Sequence, residues 1–242
     1  MIYHKEHTTS TNDLARSEEY GHLDVIWAES QSQGRGQRGH SWHSDKGLNL
    51  TFSVVLKPHF LPIPEQFLLS EVVALALVRC FADFGIACRI KWTNDIYAGD
   101  KKLTGVLIEH SLSGETLCRT IAGIGINVNQ TSFPKELPNP TSMAQERGTT
   151  FDRQHVLERF LSHLTELYTL LEQGEKHHIE ELYRQQMYHL DEEHTYALPS
   201  GEQFRATIRG VRPSGELRLE HTDGTIREYA FKEVEFVLPH KM

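Results

Sequence analysis

The sequence predicts an α+β protein, and two observations support this. Up to about residue 190, apolar runs of strand length are interspersed with two long stretches of helical periodicity. After about His194, short alternating runs are separated by turn sequences that contain glycine, which is typical of a small all-β unit. We therefore expect two domains, at residues 1–190 and 191–242.

The first predicted element is a helix over Asp13–Glu19, which follows Ser10-Thr11-Asn12. Side-chain oxygens of Ser, Thr and Asn accept hydrogen bonds from the free N–H groups at a helix start, so the simplest interpretation is an N-cap. The same polar groups could also line a ligand pocket at the positive helix end, and the two interpretations are compatible.

A loop rich in glycine and arginine follows the apolar run Val25–Ala28. Gly34–Gly39 contains three glycines and two arginines. Glycine lets backbone N–H groups turn toward an anion, and arginine donors suit phosphate or carboxylate. A solvated loop or a nucleic-acid contact can have the same composition, so the loop alone decides nothing. We expect Gly34–Asp45 to be mobile without a ligand and ordered with one.

The next segments predict a buried core. Leu48–Leu56 alternates as a strand does, and Pro64–Gly85 carries apolar residues at the spacing of a long buried helix. Lys91–Asp95 ends one strand, Asp100–Lys102 forms a polar turn, and Leu103–Glu109 forms a second strand. By itself this pattern is an ordinary hairpin.

Strand-like runs continue to about Val128 and include the glycine-rich Gly123–Asn127, which is either a close-approach surface or a bulge. Ser142 begins a short helix that ends near Gly148. Asp152 caps a long amphipathic helix, and Glu175–Tyr188 continues the helical pattern.

The C-terminal segment predicts hairpins. Its alternating runs are Phe204–Ile208, Glu216–Leu219 and Ile226–Tyr229. The turn sequences Pro213–Gly215 and Thr222–Gly224 separate them.

Composition narrows the class of protein. Acidic residues outnumber basic ones, 33 to 25, for a formal charge of -8, which argues against a general nucleic-acid binder. No apolar run approaches the roughly 18 residues of a membrane helix, and the N-terminus has no apolar signal core. Cys80, Cys88 and Cys118 are odd in number and lack metal-like pairing, so we expect reduced thiols and a cytoplasmic protein. His177-His178 is interpreted as a solvated pair, so no metal site is expected from protein residues alone.

Five motifs occur in a single order: Ser10-Thr-Asn12, Gln31 with the Gly-Arg-Gly loop, Lys91-Trp-x-Asn-Asp95, Lys102-Leu-x-Gly105 and Gly123-x-Gly-Ile-Asn127. In order and spacing they closely resemble the biotin–protein ligases, over nearly the whole chain. The resemblance implies a central mixed β-sheet packed with helices, followed by a small SH3-like β-barrel. It also implies ATP-dependent activation of biotin to biotinyl-5'-adenylate, and then transfer to a lysine of a biotin carboxyl carrier protein.

The chain begins almost directly at Ser10-Thr-Asn12, so we expect it to lack the N-terminal DNA-binding domain that some relatives carry. No DNA or membrane partner is expected, and the protein is expected to be a monomer or a homodimer.

The resemblance also implies roles for individual residues. Lys102 would touch both the biotin carboxylate and the α-phosphate; the following Leu-x-Gly selects it over Lys101. Arg35 would add positive charge, and Asp95 could orient the acceptor lysine. The residues implied to bind biotin are Ser10, Thr11, Asn12, Gln31, Gly34, Arg35, Gly36, Gln37, Lys102, Gly105, Gly123 and Gly125. Those implied to bind ATP or the adenylate are Arg35, Arg38, Trp42, Asn94, Lys102 and Asn127, with Mg²⁺ near Asn94 and Asp95. The division of roles between Asn94 and Asp95 stays open, and Trp42 is otherwise an ordinary core aromatic.

The sequence departs from the commonest family pattern at three positions. Gln37 and His40 replace two loop arginines, with Arg38 displaced by one residue from the usual position, and Thr93 replaces a proline. These changes bear on how firmly the adenylate is held, and not on which reaction is run.

Two alternatives share parts of this pattern. A lipoate–protein ligase would use the same adenylation chemistry, but lipoate needs a long apolar tunnel without the polar groups of Ser10, Thr11 and Gln31. A non-catalytic biotin sensor would need a DNA-binding element or the loss of Lys102.

Overall fold

Seven strands form a mixed central sheet in the computed structural model, which describes residues 1–36, 42–114 and 116–237. The strands are β1 (Ile2–Lys5), β2 (Val25–Ala28), β3 (Leu50–Leu56), β4 (Arg89–Lys91), β5 (Asp95–Ala98), β6 (Lys101–Ser113) and β7 (Thr116–Ile126). Their order is β1-β2-β3-β7-β6-β5-β4. Only the β1–β2 pair is parallel among these neighbours, and the predicted α+β class with a mixed sheet is confirmed.

The described helices are α1 (Thr11–Leu14), α2 (Phe67–Asp83), α3 (Met143–Arg147), α4 (Arg153–Glu172) and α5 (Lys176–Gln186), with a 3₁₀ turn at Ile63–Glu65. The long buried helix is confirmed: α2 packs against α4 and α5, and only a few of its side chains reach solvent. The predicted starts of α3 and α4 are also confirmed, because Ser142 and Asp152 each accept hydrogen bonds from first-turn N–H groups.

The N-terminal helix is shorter than predicted. α1 covers four residues, and Ser10 occupies the N-cap position without a side-chain capping bond. The predicted helix over Asp13–Glu19 is therefore wrong in extent. The side chains of Thr11 and Asn12 instead form hydrogen bonds with Ser53 Oγ on β3, so a tertiary network replaces the local cap.

The predicted strand–turn–strand around Asp100 contains one more strand than expected. Trp92, Thr93 and Asn94 already make a turn between β4 and β5, so Asp95 begins a strand rather than ending one. Lys102 is the second residue of β6.

Alternate residues of the strands face two different environments. Val25 and Val54 belong to the main hydrophobic core with α2 and α4, whereas Ile26 and Val55 belong to a small second core with Tyr20. Successive side chains of a strand point to opposite faces of a sheet, so Ser53 lies on the same side as Val55. The face opposite the helices is thus only partly closed, and it is this face that carries polar side chains and glycines.

Five antiparallel strands form the C-terminal unit, which matches the expected SH3-like arrangement. They are β8 (Glu193–Ala197), β9 (Gln203–Val211), β10 (Leu217–His221), β11 (Ile226–Tyr229) and β12 (Glu235–Phe236), in the order β11-β10-β9-β8-β12. The three predicted hairpin strands correspond to β9, β10 and β11. The domain division at 190/191 falls between α5 and β8 and stays a prediction.

The three cysteines are free. Burial raises the pKa of the Cys80 and Cys88 thiols to about 12, so both are unreactive core groups at neutral pH. Within the described ranges, every helix is too short or too polar to cross a membrane.

Candidate active site

A cavity of about 910 Å³ opens over β3, β6 and β7 on the side of the sheet away from α2 and α4. Its floor includes Thr51 on β3, Gly105 on β6, and Gly123 and Gly125 on β7. Gly105 and Gly125 are direct partners in the β6–β7 register, so two residues without side chains face each other at the centre of the floor. The missing side chains make room for other residues that line the cavity.

A cluster of buried polar groups forms part of the cavity wall. Ser53 Oγ donates to Thr11 Oγ1 at 2.8 Å and lies 2.6 Å from Asn12 Oδ1. The backbone N–H of Thr11 donates to Gln31 Oε1 at 2.6 Å, and Ser10 is buried beside them. Ser10, Thr11, Asn12 and Gln31 all line the cavity. Because each group is fixed by another, the cluster is organised before any ligand arrives.

The floor glycines are required by their neighbours. A Cβ added at Gly123 would lie 2.1 Å from Asn12 Oδ1, and one at Gly125 would lie 2.2 Å from Trp42 Cε2. The Trp42 indole thus rests directly on the glycine floor and also lines the cavity. Its Nε1 is buried and has no hydrogen-bond partner among the described residues, which leaves a donor available beside the cavity.

Lys102 brings positive charge to the cavity. Its Nζ lies 2.7 Å from Asp95 Oδ2, and both residues line the cavity. The backbone of Lys102 is held on both sides, by hydrogen bonds with Asn139 and Thr141. Lys101 is not among the lining residues. Beside this pair, burial and then the charge of Asp95 raise the pKa of Tyr97 to about 12, so its hydroxyl stays protonated.

Arg35 is bound to two carboxylates at the cavity edge. Its Nη2 donates to Asp13 Oδ1 at 2.7 Å and to Glu109 Oε2 at 3.2 Å. Glu109 also accepts from Asn12 Nδ2 and Arg16 Nη2, each at 2.8 Å. Sequence reasoning missed Glu109, which joins the polar cluster to the glycine–arginine loop. No local signal marks it, since its partners lie far away in the chain.

The remaining predicted residues fall into two groups. Gly36 and Asn127 line the cavity, and the Asn127 side chain donates to Thr141 O. Gly34 and Asn94 are not among the lining residues: Gly34 lies against Trp42 O, and the buried Asn94 accepts from Thr93 Oγ1 at 2.6 Å. Of the Asn94–Asp95 pair, only Asp95 lines the cavity.

Three of the predictions concern residues 37–41, which lie outside the described residues. They are the roles of Gln37 and Arg38, the effect of His40, and part of the expected mobility of Gly34–Asp45. The sequence interpretation of these residues stays a prediction.

Two further segments line the cavity without having been predicted as site residues. One is the proline-rich loop with Pro134, Leu137 and Pro140; the other is the end of the C-terminal unit, with Phe231 and Phe236. The two units are joined here, because Trp92 Nε1 donates to the backbone oxygen of Gly215 at 2.9 Å.

Comparison with known proteins agrees with this geometry. Residues 3–127 match the family described as the biotin/lipoate A/B protein ligase family. The chain is 30% identical over 231 residues to the bifunctional ligase/repressor BirA of Salmonella typhimurium, a match that covers 93% of this chain and 71% of that protein. The chain belongs to the biotin/lipoate A/B protein ligase family.

Similarity within this family differs in extent from one relative to another. The BirA of Bacillus spizizenii is 38% identical over 141 residues, which is 57% of this chain, and the match covers 43% of that relative's length. A solved structure of the biotin protein ligase from Aquifex aeolicus, in complex with biotin and ATP, superimposes with a TM-score of 0.82 at 26% identity. That superposition covers 98% of this chain and 99% of the Aquifex chain, so the ligase fold extends through the C-terminal unit.

Proposed function

We propose that this chain is an ATP-dependent biotin–protein ligase that activates biotin as biotinyl-5'-adenylate and transfers it to a lysine of a biotin carboxyl carrier protein. The observation that carries the proposal is that one cavity holds both a polar cluster and Lys102. The cluster of Ser10, Thr11, Asn12 and Gln31 suits the ureido ring of biotin, and Lys102 suits its carboxylate. The Salmonella and Aquifex relatives carry ligase names.

In the first step a carboxylate oxygen of biotin attacks the α-phosphorus of ATP. The new bond is carboxylate oxygen to phosphorus, and the bridging oxygen between the α- and β-phosphorus atoms leaves with pyrophosphate. Two anions must approach, so cations at the reacting atoms lower the barrier. Lys102, which pairs with Asp95 and lines the cavity, would contact both groups. Arg35 adds charge after exchanging Asp13 and Glu109 for a phosphate.

In the second step the acceptor lysine amine attacks the acyl carbon of the mixed anhydride. An amide bond forms, the bond from the acyl carbon to the phosphate oxygen breaks, and AMP leaves. Asp95 lines the cavity beside Lys102 and is the carboxylate that can orient the amine and accept its proton.

A Mg²⁺ ion bound with ATP would add positive charge to the phosphates. Mg²⁺ prefers carboxylate and other hard oxygen ligands, and Asp95 supplies such an oxygen at the cavity surface. Asn94 is buried and bonded to Thr93, so its contribution is to shape the turn before Asp95.

Lipoate and a purely sensory role fit less well. Lipoate has no ureido group to pair with the polar cluster, and unmatched buried polar groups lower affinity. A sensor would have no need of Lys102 in the cavity.

The three cysteines are free, as is typical of proteins in a reducing compartment. We propose that this compartment is the cytoplasm.

The proposal is tested by incubating the protein with ATP, Mg²⁺, biotin and a biotin carboxyl carrier domain, and weighing the carrier by mass spectrometry. We expect one biotin to be added to the carrier, and none in a parallel reaction with lipoate and a lipoyl domain. Modification of the lipoyl domain in place of the carrier would reverse the assignment. A carrier that stays unmodified while biotin still binds would favour the sensor.

A further inference from the structure

Three metal-ligand side chains meet at the junction between α5 and β8, outside the cavity. His189, Glu192 and His194 lie within six residues of chain, and one ligand atom from each lies within 4.8 Å of the other two. Two imidazoles and a carboxylate are a donor set that zinc, nickel and cobalt accept. The three residues are close in the sequence, and the turn that follows α5 brings their ligand atoms together.

The distances leave room for an ion after small movements. His194 Nε2 and Glu192 Oε2 are 3.1 Å apart. With metal–ligand bonds of about 2.0–2.1 Å, neighbouring ligand atoms of a tetrahedral site are roughly 3.3–3.4 Å apart. An ion could therefore take the place of the shared proton if this pair opened by a few tenths of an ångström. The His189 ring, now stacked on His194 at 3.4 Å between centroids, would turn to complete the set.

His189 is suited to be a ligand. Its Nδ1 is buried without a hydrogen-bond partner among the described residues, which is uncommon for a buried polar atom. A metal ion binds the lone pair of one imidazole nitrogen, so this unpartnered nitrogen has the chemistry of a ligand.

The backbone holds the turn in a strained form. His189 and Asp191 have φ values of 60° and 58°, in the left-handed region that non-glycine residues rarely adopt. The turn is fastened by a hydrogen bond from Asp191 N to Ile208 O at 3.0 Å and by ion pairs from Asp191 to Arg184 and Arg209. Strain of this kind persists where the surroundings impose it, often at functional sites.

We propose that His189, Glu192 and His194 bind a divalent transition-metal ion of the zinc class, with water completing the coordination. The Glu192 side chain is 67% exposed, which gives the ion a path from solvent. The bound ion connects the end of α5 to the first strand of the C-terminal unit. Tyr188 stacks on His189, and its ring lies 5.5 Å from that of Tyr97, which lines the cavity, so the site also steadies a residue next to a cavity residue.

The test is a calorimetric titration of Zn²⁺ into the full chain after treatment with a chelator. We expect one tight equivalent in the wild type, and at least tenfold weaker binding in His194→Ala and in Glu192→Gln. The Glu192→Gln change preserves side-chain shape, so it guards against a loss of folding. The matched control is His177→Ala with His178→Ala, two exposed histidines that should leave the affinity unchanged.

A second measurement distinguishes specific metal coordination from nonspecific binding at the protein surface. Zn²⁺ should raise the Tm of the wild type and of the control, but not that of His194→Ala, and Co²⁺ should give the visible absorption of a tetrahedral site. Equal Zn²⁺ affinity in wild type and His194→Ala would overturn the proposal. Absence of binding to the wild type would overturn it too, and would assign the stacked rings to aromatic packing alone.

Discussion

On the helix side of the central sheet, Val54 and Leu56 of β3 are fully buried in the main core. On the opposite side, their neighbour Ser53 bonds to Thr11 and Asn12, and the nearby strands carry Gly105, Gly123 and Gly125. Both faces come from alternate residues of the same strands. One face is filled with apolar side chains and stabilises the fold. The other carries glycines and polar groups, against which Asn12 and Trp42 pack to form the floor and wall of the cavity. The comparison predicts that substitutions on the two faces separate stability from activity.

The largest effect is expected on the helix face. Phe160 on α4 is fully buried and packs its ring 5.5 Å from that of Phe52. Phe160→Ala should lower the free energy of unfolding by roughly 3–5 kcal/mol, through lost burial and the cavity left behind. Urea unfolding followed by circular dichroism measures this loss. Pyrophosphate exchange per folded molecule should change little; a collapse of exchange in folded protein would show that the two faces are not separable.

On the cavity face, Lys102→Ala should leave unfolding unaltered and reduce adenylate formation on the order of a hundredfold or more, because a preorganised charge is removed from the reacting atoms. Biotin-dependent pyrophosphate exchange into ATP measures this. Lys101→Ala is the matched control, since Lys101 does not line the cavity. Equal and small losses in both variants would contradict the assignment to Lys102.

Glu71 on α2 is a buried carboxyl among the mainly apolar side chains on the helix side of the sheet. It therefore tests how a polar group on that side affects stability. Burial, and then the charge of Glu180, raise the pKa of Glu71 from 4.5 to about 8. Between these two pKa values the folded state keeps the proton of Glu71 while the unfolded chain loses it. The contribution of protonated Glu71 to the free energy of unfolding is therefore complete below about pH 4.5 and is lost as the pH rises through about 8.

Glu71→Gln should remove that pH dependence and add about 1–2 kcal/mol to the free energy of unfolding at pH 8. This gain is smaller than the free energy that corresponds to the whole pKa shift, because the amide must also be buried. Unfolding curves at pH 5, 6.5 and 8 test this. If the stability of Glu71→Gln falls across this pH range as steeply as that of the wild type, the pH dependence does not come from Glu71.

The smallest effect is expected from a substitution of one of the glycines in the cavity floor. In Gly125→Ala the new Cβ would meet the Trp42 ring, so the indole must move. We expect biotinyl-adenylate to dissociate about tenfold faster, in line with a packing conflict of 1–3 kcal/mol. Gly21→Ala is the control, because the nearest atom to its Cβ is at an ordinary 3.5 Å. An unchanged dissociation rate in Gly125→Ala would mean that the Trp42 ring does not pack against the bound adenylate.

The correct predictions share a local cause. The extent of α2 follows from apolar periodicity, and the starts of α3 and α4 follow from capping residues next to the helices they begin. The incorrect extent of α1 shows the limit of such reasoning. Ser10-Thr-Asn12 has the composition of a cap, but Ser53, some forty residues away, takes up the side chains of Thr11 and Asn12.

The sequence by itself determined the α+β class, the C-terminal β unit, the family resemblance, and the polar cluster, Lys102 and floor glycines of the cavity. Capping residues, periodicity, turn sequences and motifs each lie within a short stretch of neighbouring residues. Only the tertiary structure decided that Glu109 joins Asn12 to Arg35, that Phe231 and Phe236 reach the cavity, and that a strained turn gathers the histidines. The first two arrangements depend on strand register and on the docking of distant segments, and the third depends on the contacts that hold Asp191 against β9. Periodicity constrains which face a residue takes, but not which remote side chain it meets there.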